Sequence, residues 1–330
     1  MTVDDATEVL DTSRPNVSRP GGRTVPPFPV YDAPGTPEPA SDASFVHREV
    51  TYARAIGFRP LKLDIWLPRR ADGPTPLVLW VHGGAFQLGD RRELPPTFAP
   101  DSVFRLLNQA GIACATADYR HSLEAPFPAQ LHDLKAAVRY LREFAAELNI
   151  DPDRFGAWGE SAGGHLVALL GLTGNHGDLE GGLGVQGHSS RVSAVVDFYG
   201  VSSLVDIPPI ATPAGLLPAA LTAAVPPGMS LQPEYMLVGG SDDPELLAAA
   251  SPVSYVGAGA APFLLVHGDS DGLVPHSQTD LLAAALTEAG VEHQVVTIKG
   301  GDHCFFGAED QMDAILATAV EYFARKLGTS

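Results

Sequence analysis

The chain has 330 residues, 45% hydrophobic and 18% charged, a balance that supports a sizeable core and excludes a disordered polymer. A net charge of −18, from 39 acidic against 21 basic side chains, argues against nucleic acid or an anionic membrane surface as partner. Two cysteines, Cys114 and Cys304, cannot build a disulfide framework, and Met1 to Glu8 lack the basic and apolar regions of a secretion signal, so a cytoplasmic location is expected.

Residues 1–43 are rich in Pro, Gly, Ser, Thr and acidic side chains and follow neither strand nor helix period. They read as an extended or flexible arm, or as a strap anchored by Val25, Phe28, Val30 and Tyr31, preceding a domain over 44–330. Phe45 to Ala53 and Leu61 to Leu67 predict two strands around a turn at Gly57. In the second, Leu61, Leu63, Ile65 and Leu67 alternate with Lys62, Asp64 and Trp66, the pattern of a half-buried antiparallel pair. Leu77 to Val81 is apolar throughout, as a parallel strand covered on both faces must be. Ile112 to Ala117 predicts a strand that buries Cys114, and Ala129 to Leu148 a helix with Leu131, Leu134, Val138 and Leu141 on one face.

Strands at Arg154 to Trp158, Val192 to Tyr199, Phe263 to Val266 and Glu292 to Ile298 then alternate with helices at Ala162 to Leu170, Ser277 to Ala289 and Met312 to Lys326. The alternation implies a mostly parallel central sheet flanked by helices. Two segments break the rhythm. Thr173 to Ser190 is Gly-rich and polar and reads as a mobile surface loop. Residues 201–243 are rich in Pro and Ala with Ile207, Ile210, Leu216, Leu217, Leu221 and Met229 interspersed, and read as a small cap insertion.

The chemistry gathers at strand ends. Gly159-Glu160-Ser161-Ala162-Gly163 stands between a strand and a helix, the setting in which Gly-x-Ser-x-Gly lifts a serine hydroxyl out of a sharp turn. A serine becomes a nucleophile when an imidazole takes its proton, and a carboxylate must fix that imidazole's tautomer. Asp271 follows the strand at Phe263 and His303 follows the last strand, giving the chain order Ser161, Asp271, His303; Asp269 competes for the acid role. The anionic intermediate needs preorganised N–H donors. Gly84 and Ala85 of His82-Gly83-Gly84-Ala85-Phe86, with Ala162 after the nucleophile, are the expected oxyanion hole. His82 and His267 read as structural residues at strand ends, Glu160 as an organiser of its loop, and Cys304 is discounted as a nucleophile.

At these motifs the chain resembles serine esterases of the α/β-hydrolase superfamily, near the hormone-sensitive-lipase-like and bacterial feruloyl or acetyl-xylan esterase-like branches. Beside the nucleophile and oxyanion motifs, the resemblance rests on Asp118-Tyr119-Arg120, Pro126-Phe127-Pro128-Ala129, and His267-Gly268 with Asp271 and Val274-Pro275, and covers about residues 45 to 326. Leu61 to Pro68 favours the feruloyl-esterase-like branch, while Ala85 departs from a third glycine in the oxyanion loop. The resemblance implies an α/β-hydrolase fold and hydrolysis of short-to-medium acyl or aromatic carboxylic esters through an acyl-serine intermediate. It implies no metal or organic cofactor. The expected partner is a small-molecule ester, and self-association into a homo-oligomer stays open. An amidase or arylformamidase would use the same triad. A ligand-binding protein on a retired hydrolase scaffold would show a lost triad member, and none is lost.

Overall fold

The computed structural model describes residues 30–41, 44–55, 59–69, 71–207 and 232–328. In chain order the strands and α-helices are β1 (Glu38–Pro39), β2 (Ser44–Ala53), β3 (Leu61–Pro68), β4 (Thr75–Val81), α1 (Ser102–Gln109), β5 (Ala113–Ala117), α2 (Ala129–Glu143), β6 (Ile150–Glu160) and α3 (Ala162–Leu172). They continue with β7 (Ala194–Phe198), α4 (Pro233–Leu237), α5 (Pro244–Ala249), β8 (Phe263–Gly268), α6 (Ser277–Glu288), β9 (His293–Ile298) and α7 (Met312–Leu327).

Among the described residues the strands form one sheet in the order β1-β2-β3-β5-β4-β6-β7-β8-β9. β1, β2, β3 and β5 pair antiparallel in turn, and every pairing from β5 to β9 is parallel. The apolar runs are explained by cover on both faces. Leu77, Leu79 and Val81 of β4 join the core beneath α2, α3 and α6, while Val78 and Trp80 join the opposite core beneath α1 and α7. Helix α3 is buried along its whole length, and its approach depends on Gly163: a Cβ there would run into the Val81 carbonyl. No described helix is long and apolar enough to cross a membrane.

Several boundaries differ from the sequence reading. Helix α2 ends at Glu143, and the apolar period continues through a turn in which Ala145 and Leu148 remain buried, with Ile150 N–H bonded to the Ala145 carbonyl. β6 begins at Ile150, paired with Thr75, because the half-buried Asp151 and the exposed Pro152 and Asp153 are absorbed into the strand. Helix α1 and the two-residue β1 were not anticipated. The loop at 173–190 is fastened, contrary to expectation: the buried Arg139 guanidinium donates to the carbonyls of Glu180, Leu183 and Val185, and Lys135 to that of Thr173.

Of the expected arm, residues 1–29, with Val25 and Phe28, lie outside the described residues. Tyr31 packs edge-on against Tyr140 and Phe144, both at 6.1 Å, and Tyr140 donates to the Asp32 carbonyl at 2.7 Å. Of the expected cap, residues 208–231 with Ile210, Leu216, Leu217, Leu221 and Met229 likewise lie outside them. Its C-terminal flank is tied to the main body where Phe127 N–H donates to the Leu237 carbonyl at 2.7 Å. The C-terminal ends of β4, β6, β8 and β9 share one sheet edge, and the loops leaving them carry His82, Ser161, Asp271 and His303.

Candidate active site

Ser161 joins β6 to α3 with φ 54° and ψ −119°, a backbone conformation that L-residues avoid and that costs about 1–3 kcal/mol. The turn is held by Ser161 N–H on the Phe198 carbonyl and by His165 N–H on the Ser161 carbonyl. It has room because a Cβ on Gly159 would meet the backbone of Gly163. The result is a serine hydroxyl set off from both elements, with His303 Nε2 at 3.0 Å from its oxygen.

His303 Nδ1 stands 2.8 Å from Asp271 Oδ2, so the three side chains form a continuous hydrogen-bonded series. The carboxylate accepts, which places the proton on Nδ1 and leaves Nε2 free to take one from Ser161. The second oxygen of Asp271 accepts from Leu273 and Val274 N–H. Asp302 stitches the two loops together, accepting from Gly272 N–H at 2.9 Å and His303 N–H at 2.7 Å. Asp269, the rival acid, is exposed and engaged by Gly300 N–H and the Ser270 hydroxyl. Burial alone would disfavour charge on both Asp271 and His303, yet their mutual attraction prevails. Asp271 is held below the usual carboxylate range with further help from His267, and His303 is raised above 6.5.

The loop after β4 is oriented peptide by peptide. A trans peptide points its C=O and the following N–H in opposite directions. The Tyr119 hydroxyl sits 3.1 Å from the His82 carbonyl and 3.2 Å from that of Gly83. Accordingly Gly83 N–H points the other way, onto Glu160 Oε1 at 2.5 Å, and Gly84 N–H is turned away from Tyr119. The Gly84 carbonyl accepts from Gln87 and Leu88 N–H, which turns Ala85 N–H outward in the same manner. Likewise the Ser161 carbonyl, bonded into α3, directs Ala162 N–H away from the helix. Among the described residues no acceptor is found for the N–H of Gly84, Ala85 or Ala162. The loop needs φ 100° at Gly84, and Ala85 follows at φ 54°, a conformation the missing third glycine would have adopted without strain.

Behind this loop the His82 ring stacks on Tyr119 at 4.4 Å and donates from Nδ1 to the Gly83 carbonyl; burial lowers its pKa to about 4, keeping it neutral. Burial pushes Glu160 up to about 7. It also holds the Cys304 thiol well above its ordinary value, which favours the neutral thiol. Tyr119, the clamp on two carbonyls, and His267, in contact with Asp271, were not singled out for these roles from the sequence. A tyrosine and a histidine at strand ends carry no motif that separates such roles from packing.

A family model described as BD-FAE matches residues 63–286. Esterase LipQ of Mycobacterium tuberculosis is 31% identical over 270 residues, which is 81% of this chain and 59% of that protein. The chain spans 46% to 59% of the length of the first three curated relatives. A solved structure described as a truncated form of a carbohydrate esterase from gut microbiota superposes with a TM-score of 0.73 at 30% identity, covering 88% of this chain and 99% of that one. The propionate-bound esterase Est2 of Thermogutta terrifontis superposes at 0.64 with 26% identity, covering 87% and 95%. The fold is that of the α/β hydrolases.

Proposed function

The chain belongs to the BD-FAE family, and on that premise we propose that it hydrolyses carboxylic esters by way of an acyl-serine at Ser161. The observation that carries this reading is the hydrogen-bonded series Ser161, His303, Asp271 on a strained strand-to-helix turn. His303 Nε2 takes the hydroxyl proton as Ser161 Oγ bonds to the ester carbonyl carbon, and Asp271 stabilises the imidazolium so formed. The carbonyl electrons move onto oxygen, where the N–H groups of Gly84, Ala85 and Ala162 receive the charge; each such donor lowers the barrier by about 3 kcal/mol. Collapse re-forms the carbonyl and breaks the bond to the alcohol oxygen, which takes the proton from His303. A water, deprotonated by the same nitrogen, then attacks the acyl carbon and releases the carboxylic acid and free Ser161.

The substrates in this reading are esters of short-to-medium acyl or aromatic groups. A structural relative described as a carbohydrate esterase and another solved with propionate support the shorter end. The catalytic unit would be residues 44–330, with a cap insertion around 201–243. Its setting would be cytoplasmic, which two unpaired, buried cysteines suit. The test is a rate panel on nitrophenyl esters of increasing acyl length, feruloyl and acetyl-sugar esters, and matched amides. Ser161→Ala should lose about a thousandfold or more of the turnover, with acetyl to butyryl esters fastest in the parent. Faster turnover of the amides would move the assignment to an amidase. Silence across the panel in folded protein would refute a hydrolase.

A further inference from the structure

Resting on that serine-hydrolase reading, we propose that His267 is a positioning residue for the reaction: its ring holds the Asp271 carboxylate in the orientation His303 requires. His267 is the penultimate residue of strand β8 and is wholly buried, whereas Asp271 sits on the loop that follows. Its Nε2 lies 2.9 Å from the Val274 carbonyl and 3.3 Å from Asp271 Oδ2, and its Nδ1 lies 2.8 Å from Thr279 Oγ1. A carbonyl and a carboxylate only accept, so Nε2 carries the ring proton and shares it between them. In the neutral ring Nδ1 is then an acceptor, and the hydroxyl of Thr279, in the first turn of α6, donates to it.

The two acceptors therefore fix the tautomer that aims an N–H at the acid, Thr279 complements it by donating to Nδ1, and His267 ties both the carboxylate and the far side of its loop to the sheet. Asp271 Oδ2 stands between two imidazoles, with His303 Nδ1 at 2.8 Å on the side of the nucleophile. The other ionisable groups facing His267 are Asp197 from β7, Tyr199 just beyond it, and His276 at the start of α6.

The experiment follows the pH dependence of nitrophenyl acetate hydrolysis by the full chain and its His267→Gln, His267→Leu, Thr279→Val and Ser161→Ala variants, with circular dichroism to establish folding. The amide nitrogen of glutamine occupies the place of imidazole Nε2 and keeps the donor. His267→Leu should lower kcat about tenfold, the effect of losing one hydrogen bond to a charged group, with KM within about twofold. It should also move the acid limb of kcat/KM upward, because a carboxylate relieved of one donor holds the His303 imidazolium more tightly. His267→Gln should restore most of both properties, and Thr279→Val should shift them less, in the same direction. A folded leucine variant with the parent's kcat and acid limb would overturn the inference, as would a glutamine variant no better than leucine. If the leucine variant does not fold, a Thr279→Val profile identical to the parent's overturns it. Turnover persisting in Ser161→Ala would instead overturn the serine reading beneath it.

Discussion

Replacing Glu160 with glutamine separates the charge of this side chain from its shape. Glu160 precedes the nucleophile, is buried, and accepts Gly83 N–H through Oε1 at 2.5 Å. Burial moves its pKa from 4.5 to about 7, against the opposing pull of His303 and of the Gly83 N–H. For an acid whose folded pKa lies above its unfolded one, the cost of burying the ionised form is absent below pH 4.5, grows as pH rises towards 7, and is complete above it. At about 1.4 kcal/mol for each pH unit, that gap amounts to about 3 kcal/mol. Glutamine is neutral at every pH, so Glu160→Gln should be more stable than the parent by up to about 3 kcal/mol at pH 8, less about 1 kcal/mol for seating its amide N–H groups. At pH 5 the two proteins should be nearly equal. Activity should move the other way: a neutral amide oxygen holds the Gly83 N–H about 1 kcal/mol less firmly than a carboxylate, worth about fivefold in kcat. Urea denaturation at pH 5 and pH 8, with kcat on nitrophenyl acetate, measures both. A stability difference that does not change between the two pH values would mean that burial does not raise the Glu160 pKa.

Two further outcomes follow from the geometry. Tyr119→Phe removes the hydroxyl that orients the His82 and Gly83 carbonyls, so kcat should fall about tenfold with KM little changed; a parent-like kcat in steady-state kinetics would show that the loop orients without it. Because His303 is raised above 6.5 and must be neutral to act as base, kcat/KM should climb through an acid limb lying above pH 6.5; a limb below pH 6 in a pH–rate profile would contradict the pairing with Asp271.

What the sequence made legible was the part written as pattern. β4, β7 and β8 are short, mainly apolar runs bounded by turn residues, and cover on both faces buries even Asp197 and His267 within them. The turns after β4 and around Ser161 were readable because glycines stand where side chains would collide or φ is positive. Helix α1 was missed because eight residues behind Pro95, Pro96 and Pro100 give little more than two turns, and its stability comes from burying Val103, Phe104 and Leu107 against the sheet. β1 is two residues including a proline, and exists only through pairing with Phe45 and Val46. The loop at 173–190 has the composition of a mobile segment, and what fastens it is three cations on α2, Lys135, Arg139 and Arg142. At the site, the choice of Asp271 over Asp269 was not legible to the end, since both occupy one turn and only the fold turns one of them towards His303.

An acyl group carried on Ser161 requires a nucleophilic oxygen there, which reacting the full chain with paraoxon and mapping the adduct by peptide mass spectrometry would reveal. One diethyl phosphate is expected, on Ser161, with loss of esterase activity in proportion to labelling and neither label nor activity in Ser161→Ala. Full activity in a protein without an adduct, or a label on another residue that tracks the loss of activity, would contradict it.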